Sequence, residues 1–433
     1  MKKVLIITYY WPPAGGISVH RSLKFAKYLP EFGWEPIVYT TENAQYPYLD
    51  DSNFKDIHEK TTVIKRPIVE PFGIFKLLSG RKKDESLNNI VHVRDRKHRW
   101  KDDLGIWVRG NIFIPDARSL WVRPSVKFLV KYLKENPVDA IFSDGPPHTN
   151  TRVATLVHQK TNIPFLADFQ DPWTQVDYYP LMKLTSWADQ RHKRMEQEAF
   201  EAASKITIAS PSWKKDLESI GAKNVDVLYW GFDEDDFQHI DYKLDSHFTI
   251  THAGLIGFDR LPQVFFQALS ELCNELSEFT KYLRIQLAGQ IDYSVVESYQ
   301  KNDLAPFVKN LGIINRDNTL QLIVSSQILL LLLNQALNAK GRVPGKLFEY
   351  LKANRPILCL GPTDSDVAKI IKDTQRGNTF NYPDKEAIKQ YVMKLFNAFL
   401  ERRSAYLASN IDKYSVKNQT KILSSYLSKI SAI

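Results

Sequence analysis

Short apolar runs separated by helix-length segments recur along the whole chain, and this rhythm restricts the fold more than any other feature of the sequence. In the first half the runs are Val4–Thr8, Pro36–Thr40, Ala140–Ser143, Pro164–Asp168, Ile206–Ala209 and Val225–Tyr229. In the second half they are Phe248–Ala253, Leu283–Ala288, Val308–Gly312, Ile328–Leu333 and Pro356–Leu360. Strands joined by segments of that length pair in parallel, because a tight hairpin cannot connect parallel neighbours. Ile328–Leu333 is apolar at every position, as a strand covered by helices on both faces requires. The sequence therefore predicts an α/β protein with parallel sheets. A chain of 433 residues exceeds one ordinary domain, and the polar stretch Gln238–Ser246 separates the two series of strands. Two domains are expected, residues 1–240 and 241–413. No short repeat of the solenoid kind is present.

The sequence has two cysteines, Cys273 and Cys359, which excludes a disulfide framework and favours a reducing compartment. The opening apolar run is too short for a signal peptide and reads as a first buried strand. The longest apolar run, Ile328–Leu333, falls far below the roughly 20 residues of a membrane span. A cytoplasmic or peripheral protein is expected. The net charge of +9 suits a nucleic acid, an anionic lipid surface or a phosphate-bearing substrate. Nucleic acid ranks last, for no module that reads it is present. Residues 71–112 interrupt the strand–helix rhythm. Arg81-Lys82-Lys83 and the basic run His92–Lys101 lie there close to Phe72, Phe75, Leu77 and Leu78. That segment is either a solvated insertion or a patch that rests on anionic lipid.

Two glycine-containing loops stand where α/β proteins bind ligands. Gly15 and Gly16 follow the first strand and precede a helix that carries His20. Paired glycines allow either a tight turn or a close approach of an anion to free backbone N–H groups; the G-x-G-x-x-G dinucleotide spacing is absent. The second loop, Gly341-Arg342-Val343-Pro344-Gly345, opens a helix with Lys346 and Glu349 on one face. A cation for a diphosphate and a carboxylate for a ribose diol is one reading of that pair, and a surface ion pair is the other. Asp233-Glu234-Asp235 and Asp364-Ser365-Asp366 have Asp-x-Asp spacing but read as solvated turns. The histidines form no cluster at ligand spacing, so no metal site is assigned. His148, in a Pro-Pro loop after a strand, is either an acceptor-orienting group or an ordinary loop histidine. Asp171 stands in Asp-Pro-Trp, which is either a turn with a packed indole or a place where the aspartate holds a sugar hydroxyl.

The chain resembles glycosyltransferase family 4, with landmarks in order from end to end. Pro12-Pro13-Ala14-Gly15-Gly16 is similar to the N-terminal glycine loop. Ile114–Arg118 with Trp121, Ser143–His148 and Asp168–Thr174 resemble segments of a bacterial envelope-polysaccharide branch. Gly231-Phe232-Asp233 with Phe237 is similar to the close of the N-terminal domain, and Gly345–Leu351 to the donor-binding helix. The resemblance implies a GT-B fold: two Rossmann-like domains facing across a cleft, with a C-terminal helix (414–433) crossing back to the N-terminal domain. It implies an acceptor-binding N-terminal domain and a nucleotide-sugar-binding C-terminal domain. The implied activity is metal-independent, retaining hexosyl transfer from a nucleotide-diphosphate sugar to an envelope glycan or a polyprenyl-diphosphate-linked acceptor, with the nucleotide sugar as substrate and no cofactor. Arg260, Lys346, Asp171 and His148 are the candidate catalytic residues. Glu349, Gly345, Gly254 and Gly341 are candidates for the donor, and Gly15, Gly16 and His20 for the acceptor or diphosphate loop.

The sequence also departs from that family. Gly341 stands where the first of two glutamates is usual. Leu255 and Arg260 replace an arginine–lysine pair, Gln170 with Asp171 replaces a histidine, and Trp230 replaces an asparagine. Two other functions therefore stay open: a GT-B sugar-nucleotide epimerase or hydrolase, and a catalytically silent sugar-nucleotide-binding homologue.

Overall fold

The computed structural model describes residues 1–71, 99–336, 338–402 and 410–432. The chain divides into two compact units, each built on its own parallel sheet. Among the described residues the first comprises 1–71, 99–230 and 416–432, and the second those from Gly231 to Ser415. The polar stretch Gln238–Ser246 lies within the second unit, ahead of its first strand.

The first sheet contains β1 (Lys2–Ile7), β2 (Trp34–Thr41), β3 (Thr62–Arg66), β4 (Ala140–Gly145), β5 (Phe165–Phe169), β6 (Lys205–Ile208) and β7 (Val225–Val227), in the spatial order β3-β2-β1-β4-β5-β6-β7. All its pairings are parallel. Helices α1 (Ile17–Tyr28), α2 (Arg99–Asn111), α3 (Val122–Glu135), α4 (His148–Thr161), α5 (Ser186–Ala202) and α6 (Pro211–Ser219) belong to this unit. Strand residues of alternating direction feed two apolar clusters: Leu5, Ile7 and Ile141 enter one with Trp121 and Trp213, while Val4, Ile6 and Phe142 enter the other with Trp11 and Trp34. This is the two-sided burial that the uninterrupted apolar strands demand.

The second sheet contains β8 (Phe248–Ala253), β9 (Leu283–Ala288), β10 (Val308–Gly312), β11 (Ile328–Leu332), β12 (Ile357–Leu360) and β13 (Gly377–Phe380), in the order β10-β9-β8-β11-β12-β13. It is parallel throughout. Its helices are α7 (Gln263–Glu275), α8 (Ser277–Tyr282), α9 (Tyr293–Lys301), α10 (Arg316–Ser325), α11 (Lys346–Ala353), α12 (Asp366–Asp373) and α13 (Lys385–Leu400). Phe248, Phe265, Leu269, Phe279 and Phe396 lie in its core. Asn315 caps α10 by accepting the Asn318 N–H at 2.9 Å, and Asp292 caps α9 by accepting the Ser294 N–H at 3.0 Å; each satisfies an N–H that the first helical turn leaves without a partner.

A last helix, α14 (Val416–Ile430), belongs to the first unit. Its Leu423, Leu427 and Ile430 recur at helical spacing and pack with Val4, Val19 and Leu23. Both units are therefore Rossmann-like, and both sheets reverse direction between their first strand and the fourth or equivalent strand, at β1/β4 and β8/β11. Crevices beside the carboxyl ends of strands at such reversals are where doubly wound sheets bind ligands.

Two strands escaped the sequence analysis, β3 and β13. Both are edge strands, and their sequences Thr-Val-Ile-Lys-Arg and Gly-Asn-Thr-Phe carry no buried residue. An edge strand buries one side at most, so it lacks the apolar signature of a central one. The basic run His92–Lys101 and its apolar neighbours fall on 72–98 and on side chains of 99–103, outside the described residues.

Candidate functional site

In the second unit, the reversal of strand order brings four of the expected donor residues together. Strand β8 ends in His252-Ala253, and the next residue, Gly254, has a φ of +119°. A Cβ on Gly254 would stand 2.4 Å from Lys346 Nζ and 3.0 Å from its Cε. Glycine is thus required both by the backbone and by the amino group that occupies the side-chain space. Gly289, at the end of β9, repeats the device: its Cβ would meet the Gly254 carbonyl oxygen at 2.4 Å. The two loop backbones therefore stack directly, and the Gly254 N–H donates to Ala288 O at 2.6 Å.

Lys346 is the first residue of α11, and Gly345 precedes it with helical angles. The loop Pro344-Gly345 accepts the N–H groups of Leu347 and Phe348 at 3.0 and 3.1 Å. The Lys346 amino group donates to His252 Nε2 at 3.2 Å. His252 Nδ1 lies 2.9 Å from the Leu330 carbonyl of the neighbouring strand, and a carbonyl only accepts. Nδ1 must therefore carry the proton, which leaves Nε2 as the acceptor that holds the lysine. Burial first, then Lys346, keeps His252 well below its ordinary value and so neutral. Burial and the charge of Arg260 bring Lys346 down to about 7, with Arg342 adding and Glu349 opposing. Arg260 itself makes a two-point contact with Asp259, at 3.1 and 2.7 Å.

Glu349 is not the partner of Lys346. Its Oε1 accepts from Arg316 Nη1 at 2.8 Å, while Arg316 Nη2 donates to Asp236 at 2.7 Å. Burial opposes the charge of Arg316, yet Glu349 and Asp236 together hold it above its ordinary range. The expected surface ion pair along the helix is thus replaced by a bridge from α11 to α10. It fixes the Glu349 carboxylate and leaves Oε2 with no hydrogen bond among the described residues. Gly341 lies buried at the end of a short 3-10 turn, five residues ahead of Lys346. The chemistry assembled here is a pair of cations near a helix start and a fixed carboxylate oxygen, suited to a diphosphate and a vicinal diol.

The Asp-x-Asp stretches form turns, but the first is not the solvated turn expected, because Asp233 is buried. Asp233 accepts the Asp235 N–H at 3.1 Å, Asp236 is engaged by Arg316, and exposed Asp364 pairs with Lys340.

The first unit holds the remaining candidates. Gly15 and Gly16 lie beneath Tyr48: a Cβ on Gly15 would reach its ring at 2.4 Å, and Gly16 has a φ of +90°. The loop is therefore shaped by close packing at the entrance to α1, where His20 is half-buried. His148 begins α4 and stacks on Trp173, with ring centroids 4.6 Å apart and planes within 1°. Burial pushes it down to about 3, against the pull of Asp116. A neutral His148 can accept or donate one hydrogen bond without carrying charge. Asp171 is half-buried two residues before that tryptophan. His252, Arg316 and Asp236 were not singled out from the sequence. None stands in a motif, and only the pairing of β8 with β11 and the packing of α10 beside α11 reveal them.

No protein-family profile and no curated protein sequence matches the chain. Solved structures do match in fold. HepE from Anabaena, solved in complex with UDP-glucose, is 12% identical with a TM-score of 0.54, covering 100% of this chain and 98% of that one. WaaG, a glycosyltransferase involved in lipopolysaccharide biosynthesis, is 15% identical with a TM-score of 0.56, over 97% and 99%. A Listeria monocytogenes protein named as a UDP-N-acetylglucosamine 2-epimerase is 11% identical with a TM-score of 0.56, over 100% and 97%. At these identities the likeness establishes the fold, GT-B, and nothing finer.

Proposed function

We propose that this protein is a glycosyltransferase that draws on a nucleotide-diphosphate sugar. The observation that carries the proposal is the seating of the Lys346 amino group against Gly254, with Arg260 near it and with Glu349 fixed by Arg316 on the same helix. Transfer breaks the bond between the anomeric carbon and the diphosphate, and negative charge collects on the departing oxygen. Lys346 and Arg260 stabilise that charge most strongly in the transition state. The acceptor oxygen forms the new bond and gives up its proton, for which the departing diphosphate is itself a base. Glu349 Oε2 takes the ribose hydroxyls. The fold shared with UDP-glucose-bound HepE supports this assignment.

The acceptor end is assigned to the first unit, with His148 and Asp171 facing the acceptor and Gly15, Gly16 and His20 bordering it. An envelope glycan or polyprenyl-diphosphate-linked acceptor, hexosyl transfer with retention, and a position on the cytoplasmic face of a membrane complete the proposal. Among the described residues no helix is long and apolar enough to cross a membrane. The likeness to a 2-epimerase favours one competing reading. Incubation with a panel of nucleotide sugars separates the two: a glycosylated acceptor supports transfer, and an altered sugar nucleotide without acceptor dependence overturns it.

Two results are expected at this site. Glu349→Ala should weaken nucleoside diphosphate binding by roughly 1.5–3 kcal/mol, the range for a hydrogen bond to a charged group. Titration calorimetry checks it, and unchanged affinity removes Glu349 from the site. Turnover should also survive EDTA, because cationic side chains take the role a divalent ion would have on the diphosphate. Activity lost to EDTA and restored by magnesium or manganese would refute metal independence.

A further inference from the structure

Strands β8 and β11 pair at Ile250–Ile328 and Thr251–Leu329, and their register ends there. One step further, a parallel ladder would join the Leu330 carbonyl to the Ala253 N–H. Two side chains take those groups instead. The His252 imidazole donates to the Leu330 carbonyl at 2.9 Å, and the Ala253 N–H donates to the Tyr350 hydroxyl at 2.9 Å. His252 and Tyr350 are both fully buried. The sheet is thus opened by one rung where its strand order reverses, and the released backbone groups stay satisfied.

Both replacements lead to helix α11. Tyr350 follows Lys346 by about one turn of that helix, and the Lys346 amino group reaches back to His252 Nε2 at 3.2 Å. The first turns of α11 are therefore joined to the end of β8 twice, with the side-chain space of Gly254 holding the amino group beside them. The charged groups that act on Lys346 are Arg260 from the turn after β8, Arg342 from the loop ahead of α11, and Glu349 from α11 itself. Arg260 is engaged by Asp259 and Glu349 by Arg316, so neither carboxylate neutralises the lysine. Among the described residues its hydrogen-bond partner is His252, a neutral acceptor. Such a partner orients one of three ammonium donors and leaves the positive charge whole, which a carboxylate would not do.

We propose that His252 is a positioning residue whose Nε2 aims the Lys346 amino group at the diphosphate, with Tyr350 fixing the helical turn that carries the lysine. That the target is a diphosphate rests on the glycosyltransferase reading. The orientation of the lysine by His252 does not.

The two ring nitrogens can be replaced one at a time. Asparagine places an amide N–H near the position of Nδ1 and keeps the contact with Leu330, whereas glutamine places an amide oxygen near the position of Nε2 and keeps the acceptor for Lys346. With a nucleotide sugar, kcat should fall roughly 10–100-fold in His252→Asn, the range for one hydrogen bond to a charged group, and KM should change less. His252→Gln should recover most of the loss, and Tyr350→Phe should lower kcat less than His252→Asn does. A role in the sheet alone predicts the opposite order, with His252→Asn near wild type and His252→Gln impaired, and that order would overturn the proposal. A second measurement needs no ligand. An acceptor favours the charged amine, so Lys346 should titrate at lower pH in His252→Asn than in the wild type or His252→Gln. NMR of protein carrying 13C-labelled lysine follows this, with Lys346→Arg identifying the signal, and equal midpoints in all three proteins would overturn the role. Where His252→Asn fails to fold, His252→Gln decides: wild-type midpoint and most of the kcat support the role, and loss of both sinks it. If the wild type binds no nucleoside diphosphate while the midpoints move as stated, the donor reading falls and the positioning of Lys346 by His252 stands.

Discussion

Turnover by the Lys346→Ala protein is expected to fall about 10²–10³-fold, the usual consequence of removing one preorganised donor from a site of developing negative charge. The effect should fall mainly on kcat, because the charge of the departing diphosphate is greatest in the transition state. Steady-state kinetics beside nucleoside diphosphate titration checks this, and a kcat near the wild-type value would remove Lys346 from the chemistry. The same group sets a pH dependence. Burial and Arg260 bring Lys346 down to about 7, so near neutrality half of the free protein carries an uncharged amine. A diphosphate prefers the protonated form and raises the lysine's value when it binds. Affinity should therefore be full below pH 7 with respect to this group. Above pH 7 it should decline by up to about tenfold per unit, until the higher value of the complex is passed. Proton uptake on binding, measured in buffers of differing ionisation enthalpy, should rise over that window and vanish in Lys346→Ala.

The largest stability effect is expected in the first unit. Arg21 and Asp168 are wholly buried and meet through two bonds, of 2.5 and 2.7 Å. Arg21 also donates to the carbonyls of Leu228 and Tyr229 at 2.9 and 3.0 Å, and Thr207 donates to Asp168 at 2.6 Å. Its guanidinium lies 5.3 Å from the ring centres of both Phe25 and Trp230. Arg21→Ala leaves a carboxylate in the core with its charge uncompensated and two carbonyls without donors, and should cost about 3–5 kcal/mol. Denaturant titration should show the unfolding of the first unit shifted to lower concentration. The double replacement Arg21→Met with Asp168→Leu should cost less than Arg21→Ala, since removing both charges removes the penalty of leaving one. A single variant as stable as the wild type would show that the Arg21–Asp168 pair does not hold the first unit together.

How much of this was legible beforehand depended on whether a feature is local. Phe248–Ala253, Leu283–Ala288 and the edge strand Val308–Gly312 were read to the residue, and in the first of them continuous burial writes itself into consecutive positions. Edge strands β3 and β13 left no such trace. The helix start at Lys346 announced itself through Pro344-Gly345, and its i,i+3 relation to Glu349 was visible. The partner that Glu349 takes was not visible, since Arg316 stands 33 positions away and reaches it only through the packing of two helices. His252 was silent for the same reason: a histidine inside an apolar strand resembles any other core residue until the neighbouring carbonyl of Leu330 fixes its tautomer.

Helix α14 gives the order of events during synthesis a particular shape. Domains emerging from a ribosome usually fold in turn, the earliest first. Here the first unit needs Leu423, Leu427 and Ile430 to cover Val4, Val19 and Leu23, and those side chains are translated after the whole of the second unit. A nascent chain therefore carries its first sheet with that apolar face uncovered while the whole of Gly231–Ser415 is added. The domain that is made first is the one that is finished last. Its exposed face is the surface that a nascent-chain chaperone would have to guard until α14 has been made.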